Sequence, residues 1–150
     1  MKPILFYDDE YYLLSNFSSH QVEYKGEIYP TAEHAYQAQK FTDRQLQEQV
    51  RYARSPLLAK DMAYKYKSQW RSDWQEIKVE VMTGVVLAKL KQHEEVRQAL
   101  KKTGTAEIKE NSPVDYFWGI GKDGSGQNQM GKIWMKLRDE IKQDNCVKIG

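Results

Sequence analysis

An α+β fold, mainly helical with a small N-terminal β-sheet and built as a single domain over residues 1–150, follows from three features of the sequence. Short β-prone runs occupy the first fifth of the chain. Helical spacing of apolar residues governs residues 31–102, and a second helical pattern closes the chain after a glycine-rich stretch. For 150 residues one domain is the natural count, and that length is enough to bury a sound core.

Ile4-Leu-Phe-Tyr7 is β-prone, and the acidic residues 8–10 separate it from a second aromatic and aliphatic run at 11–14, read as another strand. Val22-Glu-Tyr24 and Glu27-Ile-Tyr29 flank Lys25-Gly26, where glycine suits the positive φ of a tight hairpin. Thr31, following Pro30, is a natural N-cap and opens a helix expected to carry through Lys40. Residues 44–54 read as helical until Ser55-Pro56, which stops that run and starts a helix reaching about Tyr66. Residues 70–74 form a polar loop with two tryptophans, in which Ser72 or Asp73 caps a long helix to about residue 92. Ile77, Val81, Val85 and Ala88 mark its apolar stripe, supported by Met82, Val86 and Leu90.

A shorter amphipathic helix over 94–102 ends at Gly104, a C′ glycine. Residues 106–110 read as a strand, 115–120 as an aromatic β-like run, and 121–126 as a glycine-rich loop. Met130, Ile133, Trp134, Leu137 and Ile141 then describe a closing helix.

Twenty-three Lys and Arg against 21 Asp and Glu leave a net charge of +2 without a basic block, so no duplex nucleic-acid footprint stands out. A small or nucleotide-like ligand fits better. The single Cys146 excludes an intramolecular disulfide, and three scattered histidines make no metal-ligand spacing, so neither metal nor cofactor is expected. No signal pattern and no apolar run of about 18 residues is present, which leads to the expectation of a cytoplasmic protein without membrane association.

Two glycine motifs are decoys. Gly119-x-Gly121-x-x-Gly124 matches the dinucleotide fingerprint but lacks a following strand with an acidic end. Gly126-x-x-x-x-Gly131-Lys132 ends in Ile133, where a phosphate-binding loop needs a hydroxyl for magnesium. What remains is backbone entering a helix N-terminus beside Asn128 and Lys132, an arrangement suited to a phosphate or ribose, with a plain loop as the alternative.

The residues 29–41, Tyr-Pro-Thr-Ala-Glu-His-Ala-Tyr-Gln-Ala-Gln-Lys-Phe, concentrate the chemistry. Helical spacing puts Glu33, Gln37 and Lys40 on one face and His34, Ala38 and Phe41 on another. A solvated face in which Glu33 and Lys40 complement the helix dipole is one reading. Enclosure by Tyr24, Tyr29, Tyr36 and Phe41 is the other, and it would let carboxylate and amine perturb each other.

The words Leu14-Ser-Asn-Phe17, Tyr29 to Phe41, Trp74 with the Val81-Met82 helix, Ser112-Pro-Val-Asp-Tyr-Phe-Trp-Gly-Ile-Gly121, Gly126-Gln-Asn128 and Met130-Gly-Lys132 occur in order. Together they make the chain resemble the YbiA-like or NADAR family of N-glycosidases. Two departures stand out: Ser18-Ser19 replaces the Tyr-Pro of many members, and residues 64–69 are more basic, both at positions able to shape ligand entry.

The resemblance implies cleavage of the bond between ribose C1 and a nitrogen. The first expected substrate is a phosphoribosylamino-pyrimidine intermediate of riboflavin synthesis, releasing ribose 5-phosphate. The alternative is ADP-ribosylated guanine in nucleic acid, and a third reading is a silent module binding ADP-ribose. On the resemblance, Glu33 stabilises positive charge at C1 or acts as acid and base. Lys40 either stays charged and holds sugar oxygens or loses its proton and attacks C1. Ser15, Asn16, Tyr36, Gln37, Asp115, Trp118, Gly119, Asn128 and Lys132 are the expected substrate contacts.

Overall fold

The computed structural model describes residues 2–7 and 11–149, and side chains up to residue 143. The acidic loop at 8–10 and the Cys146 side chain lie outside the described residues. Among the described residues there are six helices and four short strands in two two-stranded sheets, an α+β fold. The chain forms two compact units, Asn16–Glu94 and a second made of Met1–Ser15 with Glu95–Gly150.

Strand β1 (Ile4–Phe6) belongs to the other unit, and in the unit Asn16–Glu94 the first element is the hairpin of β2 (Val22–Tyr24) and β3 (Glu27–Tyr29), with Val22 opposite Tyr29 and Tyr24 opposite Glu27. Lys25 and Gly26 both have positive φ, 50° and 83°, the backbone that a two-residue turn needs to match the twist of its strands. Helix α1 (Ala32–Ala38) follows, and Thr31 caps it by accepting from the His34 N–H at 3.2 Å. Helix α2 (Arg44–Arg51) is capped by Asp43, and α3 (Pro56–Lys65) by Ser55 with Pro56 in its first turn.

Helix α4 (Trp74–Gln92) starts at the expected place, but Asp73 makes no side-chain cap. Its carboxylate holds Arg71 instead, at 2.6 and 3.1 Å.

Helix α1 packs against α2, α3 and α4. Its Ala32, Ala35 and Ala38, with Ala59 and Ala63 of α3, are small enough to let the backbones approach, and Val22, Tyr29, Phe41, Leu46, Val50 and Val85 complete the core. The buried stripe of α4 runs through Trp74, Met82, Val85, Val86, Lys89 and Leu90, while Ile77, Val81 and Ala88 are only half-buried. Lys89 is the departure from the apolar pattern: its Nζ donates to Ser18 Oγ at 2.6 Å, and that hydroxyl meets His20 Nδ1 at 2.7 Å.

In the other unit, β1 (Ile4–Phe6) pairs in parallel with β4 (Ile108–Glu110), so β1 joins a late strand and not the hairpin. Residues 12–14 form a 3₁₀ turn, not the expected strand, because Tyr11 adopts a left-handed conformation at φ 56° and reverses the chain. After α5 (Glu94–Lys102), Arg138 of α6 (Gln129–Ile149) donates to Thr103 Oγ1 at 2.9 Å and Ala106 O at 2.7 Å. The Trp134 indole donates to Leu14 O at 3.0 Å.

Residues 115–120 are not a strand either. Asp115 Oδ1 accepts from the N–H groups of Phe117 and Trp118, bending the run, and the carbonyls of residues 116–119 accept from residues 127–130.

Helix α6 lies close against β4: a Cβ on Gly131 would come within 2.0 Å of Ile108 O. Gly131→Ala is therefore expected to destabilise the protein by about 2–3 kcal/mol, read as a lower urea midpoint. An unchanged midpoint would show that this contact relaxes freely.

Candidate active site

The face of α1 carrying Glu33 and Gln37 is buried, as is the turn that carries Lys40. The helix proper ends at Ala38, and residues 39–41 continue as tighter turns in which the Lys40 N–H bonds Gln37 O at 3.2 Å. The solvated-face reading is thus excluded, since Lys40 is only 2% exposed.

Within the unit Asn16–Glu94 five of the expected residues come together. Asn16 O accepts from the Glu33 N–H at 3.1 Å, and Asn16 Nδ2 points to Met82 Sδ at 3.2 Å. Gln37 Nε2 donates to Glu33 Oε1 at 2.8 Å, which aims the carboxylate, and Gln37 Oε1 is a buried acceptor with no hydrogen-bond partner among the described residues.

Four rings surround the Lys40 ammonium: Trp70 at 4.0 Å, Tyr64 at 4.4 Å, Tyr36 at 5.5 Å and Trp74 at 5.8 Å from their centroids. The walls are fixed in turn. The Trp70 indole donates to Ala63 O at 2.9 Å, Trp70 meets Tyr64 edge-on at 5.1 Å, and the Arg71 N–H bonds Lys40 O at 2.7 Å.

Loss of water pushes the Lys40 ammonium down to about 7 from the ordinary lysine value. Glu33 acts in the opposite sense, and Lys60, Lys78 and Lys67 add to the depression. An amine that is half neutral near neutral pH, beside an oriented carboxylate, can serve as a nucleophile or proton carrier.

The sequence reading did not name Tyr64, Trp70 and Trp74 as site residues. Their signal was a run of aromatics at 64, 70 and 74 beside a loop, but only packing brings them onto Lys40.

The remaining expected residues belong to the other unit. Asp115 is spent on its own loop, with Oδ1 accepting from Phe117 and Trp118 at 2.9 and 2.7 Å. Trp118 is half-buried and packs edge-on against Phe117, and Gly119 O accepts from the Asn128 N–H at 3.0 Å. Asn128 donates to Ile108 O and accepts from the Glu110 N–H, so both ends of its amide bind β4. Lys132 is exposed, and Ser15 ends the 3₁₀ turn. The start of α6 is not open to a phosphate, because carbonyls of Phe117 and Trp118 already take the N–H groups of Gln129 and Met130.

Among the described residues no group of three or more His, Cys, Asp or Glu could hold a metal, and no helix is long and apolar enough to cross a membrane.

A small α+β fold in which a buried lysine and a carboxylate lie inside an aromatic enclosure defines a candidate active site. The NADAR domain family matches residues 5–142, and the chain belongs to that family. It is 36% identical to N-glycosidase YbiA of Escherichia coli over 89% of this chain and 83% of that one. It is 38% identical to N-glycosidase Npun_R5314 of Nostoc punctiforme, over 88% and 86% respectively. Riboflavin biosynthesis protein VVA0006 of Vibrio vulnificus is 40% identical over 95% of this chain, which spans 39% of that longer protein. The NMR structure of E. coli YbiA superposes with a TM-score of 0.87 at 34% identity, covering 97% of this chain and 89% of that one.

Because the unfolded chain binds the Lys40 proton more tightly than the fold does, burial of this group costs stability at every pH below the unfolded value of 10.5, fully so below about 7. Lys40→Met is expected to gain about 2–4 kcal/mol at pH 7, after the lost ring contacts are discounted. The gain should shrink as pH approaches 10.5. Paired denaturant titrations at pH 7 and 10 test this, and a gain independent of pH would mean the ammonium is not desolvated.

Proposed function

We propose that this protein is an N-glycosidase that hydrolyses the bond between a ribose 5-phosphate and the amino nitrogen of a pyrimidine, with Lys40 as nucleophile and Glu33 as proton carrier. The observation that carries the reading is the Lys40 amine held by four rings and poised near neutrality beside Glu33. The named N-glycosidase and riboflavin-synthesis relatives support the reaction class and a small ribosyl substrate.

In the first step the neutral Nζ attacks C1 as the bond to the base nitrogen breaks, and the electron pair leaves with that nitrogen. One proton passes from Nζ to the departing amine by way of the Glu33 carboxylate. The sugar ring then opens, with O4 taking the second Nζ proton as C1 and Nζ form an imine. Protonated, that imine is a cation, and the rings that face the ammonium also stabilise it. Addition of water to C1 releases ribose 5-phosphate as its aldehyde and restores the lysine amine. Asn16, which holds the start of α1, and Gln37, which aims Glu33, are the positioning residues.

On this mechanism kcat/KM falls below an acid limb near pH 7, because the protonated lysine has no lone pair. Borohydride added during turnover should leave a reduced sugar adduct on Lys40, located by peptide mass. Glu33→Gln keeps the side-chain shape and is expected to lower kcat at least about a hundredfold. Mass analysis of products from a phosphoribosylamino-pyrimidine and from an ADP-ribosylated guanine oligonucleotide separates the two substrate classes. Active turnover with no trapped adduct would exclude the covalent lysine.

A further inference from the structure

Three of the four rings around Lys40, those of Tyr64, Trp70 and Trp74, are each accompanied by another lysine. Lys60 lies one helical turn before Tyr64 on α3, and Lys78 lies one turn after Trp74 on α4. Lys67, in the 3₁₀ turn between those helices, places its Nζ 5.7 Å from the centroid of Trp70, the ring that also faces Lys40 at 4.0 Å. Lys60, Lys67 and Lys78 all act on the charge of Lys40, and Lys67 shares the Trp70 ring with it.

Lys78 donates to Gln75 Oε1 at 2.8 Å, while Lys60 and Lys67 form no ion pair among the described residues. Like charges gathered around a buried amine oppose one another. A multiply charged anion would reverse the sign of that interaction. The same site holds Gln37 Oε1, a buried acceptor without a partner among the described residues, one turn before Lys40 and suited to a sugar hydroxyl.

We propose that Lys60, Lys67 and Lys78 form the anion-binding rim of this site and hold the phosphate of a phosphorylated sugar while Lys40 meets its C1. The proposal rests on the reading of the Lys40 enclosure as the sugar site, but not on the covalent step. Of the three, Lys67 falls in the basic stretch at 64–69.

Calorimetric titration with ribose, ribose 5-phosphate and ADP-ribose tests it without turnover. Wild type should bind at least one phosphorylated sugar about tenfold or more tighter than ribose, with affinity falling as salt rises. The preference for ribose 5-phosphate over ADP-ribose, or the reverse, tells whether a monoester or a diphosphate is the anion taken. The double variant Lys60→Gln/Lys67→Gln should lose that advantage and keep its weak affinity for ribose, whereas Lys101→Gln/Lys102→Gln, on the exposed face of α5, should not. Equal affinity for ribose and both phosphorylated sugars, or equal losses in the two double variants, would overturn the proposal. A failed borohydride trap with binding intact would instead count against the covalent lysine alone.

Discussion

Burial of one ammonium group shapes this site more than any other interaction. Lys40 sits among four aromatic rings, and water is the only partner that could have stabilised its charge fully. The rings return part of that solvation through their faces, while Glu33 adds a carboxylate from the helix that precedes Lys40. The balance leaves an amine near neutrality, which a surface lysine does not reach.

Desolvation alone does not mark a functional group, and Lys89 makes the contrast. It is fully buried and also pushed down to about 7 by loss of water. Its Nζ is bonded to Ser18 Oγ, which in turn meets His20, so a hydrogen-bond chain ties α4 to the segment before β2. Lys40 instead faces aromatic carbon, beside an oriented carboxylate and a glutamine acceptor lacking a partner among the described residues. Lys89 is organised to hold structure, whereas Lys40 stands in the site proposed to meet a ligand.

The packing of α1 makes that arrangement possible. Alanines on α1 and α3 let the helices approach closely, and the short helix is buried on all sides. A helix so enclosed has no solvated face, so its polar residues had to find partners or keep a cavity. Thr31 and His34 solve this locally, with His34 Nδ1 at 2.8 Å from the Thr31 hydroxyl and Nε2 at 2.9 Å from Ala53 O.

Elements with a local cause could be read directly from the residues that make them. Thr31 and Ser55 start helices through their own hydroxyls, Lys25-Gly26 makes its turn through φ, and the words shared with the family were legible as words. The sequence alone misread residues 11–14 and 115–120 as strands because their aromatic composition is β-prone, while a left-handed Tyr11 and the Asp115 cap decide the backbone there. It likewise offered the start of α6 as an anion site, though carbonyls of residues 117 and 118 already occupy it. Only the tertiary structure paired β1 with β4 and brought Tyr64, Trp70 and Trp74 onto Lys40. Burial and proximity depend on residues far apart in the chain, and spacing within a single helix carries no record of what packs against it.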